Sequence, residues 1–581
     1  MPLEPRPRAL ATRRGAGYFS AMSRIQLIAF TLLAGGVLLG TGCARKTPTE
    51  IPRHRPARTS WGKAHKPSPQ AQSHARYADG VIAEMQGELD TAMDAFTTAV
   101  ALDPTDEELL LDVTLRFLQY KHPERALPLL TNAVSRSRSF SGLVDARLGV
   151  VYTQLGQPER AIAANQAAIR KQPTLLSAHQ NLYLNHLQQK QEDQALHDLE
   201  AAATVAGADA DFLAGIAELF ANYGMLVPAQ RVHGQSRARE LLLLAADLSP
   251  TNTTTQLKLA EGFNLVGDTT RTIEFYQRAL AALHENLPLR DAVRTKLADL
   301  YLRTRDRARA TEMLEAILRD DPTNAQANFV LGNLAFDDKR MERAAEYFAR
   351  ALLLNPRLEP AHYDLALTLL NLERYDDALA TLAQARERFA SSFLMEYLSG
   401  IVHIRRKDYT NAVRYFTAAE IVAQAGETNR LTAPFYFQTA AALERIGRLD
   451  EAAATFEKCL QLAPDFHEAQ NYLGYMWAEQ GTNLHRAREL IEQAVQAEPE
   501  NAAYLDSLGW ALFKLGQLPE ALEAMHRAIQ FADPPDPTLF DHLGDIHQAL
   551  GEKEAARAAW QKSLEIEPND AIRRKLGAPA P

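Results

Sequence analysis

From residue 73 onward the same few side chains return every 34 residues, and that period decides what the chain can fold into. One copy reads Leu331-Gly332, Ala344, Phe348, Ala351 and Pro356. The same offsets give Leu148-Gly149, Ala161, Ala168 and Pro173, and again Leu543-Gly544, Ala556, Trp560 and Pro568. Fourteen copies begin at 73, 107, 142, 176, 219, 253, 291, 325, 359, 393, 433, 467, 502 and 537. Position 20 is alanine in 13 of them, with Thr272 the exception, and position 27 is alanine in 11, replaced by Ile317, Cys459 and Ser563. Each copy is long enough for two helices. Small residues at positions 8, 20 and 27 allow close approach, because a larger side chain would overpack the crossing. Proline at position 32, present in 8 copies, cannot continue the second helix and turns the chain toward the next pair. No pair buries its apolar face alone, so neighbours must stack.

This pattern resembles the tetratricopeptide repeat, with small residues at 8, 20 and 27, bulky ones at 7, 11 and 24, and a helix breaker at 32. The resemblance implies an all-α fold, a right-handed α-solenoid of about 14 helix pairs. The expected divisions are repeats 1–5 over 73–252, repeats 6–10 over 253–426, repeats 11–14 over 433–570, and a short tail over 571–581. Phase slips of nine residues near Gly224 to Ser236, four at Leu287 to Arg290, six at Glu427 to Thr432 and one near Asn483 are expected in loops. The first is the best candidate for a bend or a contact loop. Beyond Pro568 there is room for only a short terminal helix, Asp570 to Leu576.

In tetratricopeptide proteins the first helix of each pair lines a concave groove through positions 2, 5, 9 and 12. Those positions hold Phe336, Tyr363, Leu367, Tyr397, Ile401, Phe437, Tyr475, Trp510 and Phe513 in the C-terminal half. Acids and amides interleave with them: Asn328, Asn333, Glu444, Glu468, Asn471, Asp506, Asp541 and Asp545. Aromatic anchors in a polar field suit recognition of a protein partner. Tight superhelical curvature would instead draw the aromatics into the core, and the pattern leaves both open. Chaperone-binding tetratricopeptide domains clamp a terminal carboxylate with Lys, Arg and Asn. The acids here do not support that ligand.

The N-terminal region is of a different kind. Leu27 to Leu39 is a 13-residue apolar run after Arg24, too short for a permanent span and suited to a secretory signal over 1–42. Leu39-Gly40-Thr41-Gly42-Cys43 resembles a bacterial lipobox, with Gly40 where leucine is usual, which implies lipidation of Cys43 and a membrane anchor. Met22 would open a compact signal and is an alternative start. Ala44 is compatible with outer-membrane sorting. Residues 43–72 are basic and proline-rich and are expected to form a tether. Residues 1–72 hold 12 basic and 2 acidic side chains of the chain's 63 and 72, leaving the rest with 51 and 70, a net charge of −19. That acidic body argues against nucleic acid as a partner.

No HExxH, GxSxG, GxxxxGK[ST] or GxGxxG motif occurs, and the two cysteines, Cys43 and Cys459, exclude a disulfide framework. Cys459 at position 27 is expected to be a buried, inert thiol. The chain is therefore expected to be a non-enzyme without cofactor or metal. Residues 467–568, above all Asp506-Ser507-Leu508-Gly509-Trp510, are similar to the ends of large bacterial tetratricopeptide lipoproteins, one branch of which is an outer-membrane adaptor for a periplasmic carboxyl-terminal processing protease. The resemblance implies a lipid-anchored scaffold facing the periplasm, with a protease or cell-wall hydrolase as partner. The alternative is an assembly factor for secretion, pili or exopolysaccharide export.

Overall fold

The structure is a computed structural model, and it describes residues 68–136, 139–283 and 287–577. The expected signal, Cys43 and all but the end of the tether lie outside the described residues. Where the tether was expected to run to residue 72, a helix already begins at Pro69, capped by the Ser68 hydroxyl, which accepts from the Ala71 N–H at 3.2 Å.

Among the described residues there are 29 α-helices, two 3₁₀ turns and no strand. They form 14 consecutive antiparallel pairs and one short helix, Asp570–Lys575. Each pair packs on the next, so the core runs along the array as a series of apolar clusters.

The period has a direct physical basis. All 14 side chains at position 20, Thr272 included, are at most 2% exposed. In several repeats a glycine at position 8 faces an aromatic ring at position 24 of the same repeat. A Cβ on Gly80, Gly332 or Gly400 would lie 2.5–2.6 Å from the nearest ring carbon of Phe96, Phe348 or Phe416. The turn between the two helices uses a left-handed residue at position 15, glycine in several repeats and Lys339 (φ 60°) or Lys407 (φ 59°) in others.

A second recurring contact joins successive repeats. The side chain at position 4 donates to the carbonyl of the proline that ended the preceding repeat. His179 Nε2 reaches Pro173 O at 2.8 Å, Gln256 reaches Pro250 O at 3.0 Å, His362 reaches Pro356 O at 3.0 Å and Gln470 reaches Pro464 O at 2.8 Å. The proline stops one helix, and its freed carbonyl is then satisfied by the first turn of the next.

The phase slips are absorbed mostly by helices. Repeat 5 pairs Ala210–Leu226 with Arg231–Asp247, each 17 residues long. Its first helix starts at 210 rather than 219, 34 residues after repeat 4, so the nine-residue slip lies inside the pair. The expected bend or contact loop is instead a tight helix crossing, in which a Cβ on Gly234 would meet the Phe220 carbonyl at 2.6 Å. Repeat 7 likewise lengthens its first helix to Leu287–Arg303, and the insertion before repeat 11 extends Tyr409–Gly426 into a 3₁₀ turn at Thr428–Arg430. No helix of the described residues is long and apolar enough to cross a membrane.

Candidate functional site: a pocket on the concave face

First helices supply the concave face, and the structure divides the eight groove residues expected there. Tyr363, Asp506 and Trp510 are buried, whereas Phe336, Tyr397, Phe437, Tyr475 and Phe513 are half-buried. Much of the aromatic area is used within a repeat or against the next one. Tyr397 stacks on Phe393 at 5.5 Å, and Phe437 packs edge-on against Phe456 and Tyr472, both at 5.9 Å. Tyr363 donates its hydroxyl proton to Glu359 at 2.7 Å. Leu367 and Phe336 pack against the apolar clusters of repeats 8 to 10.

Four of the eight gather at the C-terminal end. Repeat 13 pairs Ala502–Lys514 with Leu518–Phe531, and repeat 14 pairs Pro537–Ala549 with Lys553–Ile566. His542 donates from Nδ1 to Asp506 Oδ1 at 2.8 Å, and its ring stacks on Trp510 at 4.1 Å and 16°. Phe513 stacks on the same indole at 5.0 Å, and Lys514 Nζ lies 4.7 Å from its ring centre. The Asp506-to-Trp510 motif thus supplies both halves of a grip on His542 of the next repeat. Burial alone would lower the His542 pKa, but the charge and hydrogen bond of Asp506 override it and raise it.

Beside this grip opens a cavity of about 530 Å³. Its walls are Glu444 and Arg445 from repeat 11, Asn471, Tyr472 and Tyr475 from repeat 12, Asn501 to Ala503, Asp506 and Ser507 from repeat 13, and the Phe531 to Leu539 link into repeat 14. Ala503, Asn471, Asp506, Tyr475 and Glu444 occupy groove positions 2, 5, 5, 9 and 12, as the repeat phase requires. The link segment is a wall that groove positions alone do not reveal; its Pro-Pro-Asp-Pro run was the available signal.

The cavity is acidic and rich in acceptors. Asn471 Oδ1 and Asp536 Oδ2 are buried and have no hydrogen-bond partner among the described residues, and each residue is only 7% exposed. Glu444 Oε2 also lacks a hydrogen bond, its nearest cation being Arg445 Nε at 3.5 Å. Asp536 Oδ1 is occupied as a helix cap, accepting from the Thr538 N–H at 2.8 Å. Burial, followed by the charges of Glu479, Asp506 and Glu444, raises the pKa of the Tyr475 hydroxyl. This arrangement suits hydrogen-bond donors and positive charge.

Elsewhere the chemistry is sparse. Cys459 is fully buried, and burial pushes its thiol up to about 12. Among the described residues no group of three or more His, Cys, Asp or Glu side chains is placed to hold a metal.

Comparisons with known proteins agree with the architecture. Residues 295–359, 363–428 and 482–537 match one tetratricopeptide repeat family, and residues 433–466 and 538–570 match another. A tetratricopeptide repeat-containing protein of Pseudomonas aeruginosa, PA4667, is 28% identical over 219 residues, covering 38% of this chain and 36% of that protein. The BBSome complex member BBS4 of Bos taurus is 26% identical over 212 residues, covering 36% and 38%. The chain thus spans little more than a third of the length of these curated relatives. Among solved structures, one of the APC/C hetero-tetramer Cut9–Hcn1 is similar over 81% of this chain and 89% of that one, at 14% identity and a TM-score of 0.31. The family matches fall on helix pairs already described, so residues 295–570 carry tetratricopeptide repeats, and the pairs that precede them repeat the same helix-pair arrangement.

Proposed function

We propose that the chain is a non-catalytic scaffold that holds a protein partner on its concave face, anchored by lipid at Cys43 in a bacterial envelope and facing the periplasm from the outer membrane. A periplasmic protease or cell-wall hydrolase is the partner this reading favours. The observation that carries the scaffold part is the acceptor-rich cavity at groove positions of repeats 11 to 13, where buried oxygens lack partners among the described residues. Tetratricopeptide solenoids generally work by binding other proteins, and their long groove offers area rather than reactive groups. The anchor rests on the lipobox-like Leu39 to Cys43 and the basic segment after it.

Photocrosslinking in the native envelope tests both parts. A photoreactive side chain at Ala503, on the cavity wall, is expected to capture a partner that one at Glu520, an exposed site on the second helix of repeat 13, does not. Equal capture from both, or none, would remove the groove from the account. Recovery of export or pilus components would shift the reading to an assembly factor. Cys43→Ala should release the chain from membranes, and unchanged fractionation would end the anchor proposal.

A further inference from the structure

We infer that the cavity between repeats 11 and 14 is a specificity subsite for one lysine or arginine side chain of an extended partner segment. This rests on the scaffold reading above and names the chemistry of its contact. Three observations converge on it.

The first is the set of unpartnered atoms. Asn471 Oδ1, Asp536 Oδ2 and Glu444 Oε2 are all acceptors, all belong to residues that line the same cavity, and none has a hydrogen-bond partner among the described residues. Two of the three belong to residues that are more than nine-tenths buried. Buried acceptors of this kind call for donors, and a carboxylate calls for charged ones. An ammonium offers three N–H donors and a guanidinium five, with no acceptor to clash with the oxygens.

The second is charge. Glu444, Asp506, Asp533 and Asp536 line the cavity against one basic residue, Arg445. Asp506 is satisfied by His542. Arg445 lies along the wall, its Nη2 3.4 Å from the Tyr472 hydroxyl oxygen and its Nε 3.5 Å from Glu444. Lys575, a cation on the repeat 14 side, is held by Asp541 and Asp545 at 2.7 Å each. Asp536 caps a helix through Oδ1 but is paired with no cation among the described residues, and an acidic or carboxylate-terminated ligand is disfavoured.

The third is shape. At about 530 Å³ the cavity falls within the range that encloses a small ligand or one large side chain with its flanking backbone. Tyr472 and Tyr475 contribute aromatic walls beside the acceptors, which suits the aliphatic stem and charged head of Lys or Arg.

The test uses the full-length protein immobilised on beads and five pools of acetylated, amidated heptapeptides. The central residue is fixed as Arg, Lys, Gln, norleucine or Glu, and the flanks are mixtures of Ala, Ser and Thr. The Arg and Lys pools should be retained at least tenfold over the Gln and norleucine pools, and the Glu pool should not be retained. Asp536→Asn keeps a capping oxygen for the Thr538 N–H, and Glu444→Gln is isosteric. Together they should abolish the preference while the melting temperature stays within a few degrees. Asn471→Leu provides a second, neutral route to the same loss. Equal retention of norleucine, no retention of any pool, or a cationic preference that survives Asp536→Asn with Glu444→Gln would each overturn the subsite. The scaffold reading fails separately: a partner captured through Ala503 and unaffected by those substitutions keeps the groove and removes the subsite.

Discussion

At Gly332 a single methyl group would lie 2.6 Å from the Phe348 ring, closer than side chains come in proteins. Phe348 is fully buried and cannot swing away, so the helix crossing of repeat 8 has no slack. Gly332→Val removes a residue that helix propensity disfavours by up to about 1 kcal/mol, and propensity alone would make it stabilising. Overpacking should win, with a net loss of about 1–3 kcal/mol. Hydrogen exchange across residues 325–354 would measure it. Pairing the change with Phe348→Leu, which vacates the ring's volume, should recover part of the loss. A stabilised Gly332→Val protein would mean that the crossing opens freely. Small residues at position 8 and bulky ones at 24 were legible as a pattern in the chain. That each faces the other inside one repeat follows only once the two helices are placed.

At the level of helices and links, the repeat period matched the pairing of helices but set the first helix of repeat 5 nine residues late and misplaced where insertions go. Gly224 and Gly234 carry the composition of a loop, yet they sit in helices because glycine also permits close helix crossing, and only packing against Phe220 distinguishes the two uses. Groove positions were legible, since cavity-lining Asn471, Tyr475 and Asp506 follow from phase. Their burial was not, because it depends on how far each repeat turns relative to the last. The grip of Asp506 and Trp510 on His542 is a link between elements of this kind, and it titrates. Its folded pKa is raised above the unfolded value of about 6.5, so its stabilisation is fully present below that value and disappears as pH rises through the folded pKa. Wild type should therefore exceed His542→Gln in stability by about 2 kcal/mol at pH 6, with the gap shrinking toward alkaline pH. Urea midpoints of the two proteins at pH 6 and pH 9 decide the matter. A gap that widened with pH would show that the imidazole is held neutral.

For the whole molecule, contacts run almost entirely between a helix and its neighbours in sequence, so stability is a sum of local terms and need not be uniform. The apolar core is unequal along the array. One continuous cluster extends from Tyr183 to Ala310 through the long helices of repeat 5, whereas the last repeat closes on Ala556, Trp560 and Ile572, under the short helix Asp570–Lys575. That short helix is tied down by Ile572, which is 2% exposed, and by the Lys575 contacts to Asp541 and Asp545. Native-state hydrogen exchange should accordingly rank the chain. Amides of Ala210–Leu226 and Arg231–Asp247 should exchange slowest, those of Lys553–Ile566 fastest among the second helices, with intermediate values between. Lys575→Ala should speed exchange in repeat 14 and leave repeat 5 unchanged, because the perturbation must pass through nine intervening interfaces. If Lys575→Ala instead accelerated exchange equally along the whole array, the solenoid would be one cooperative unit. The cavity of repeats 11 to 14 would then be as rigid as the centre, rather than lying near the end that opens most readily.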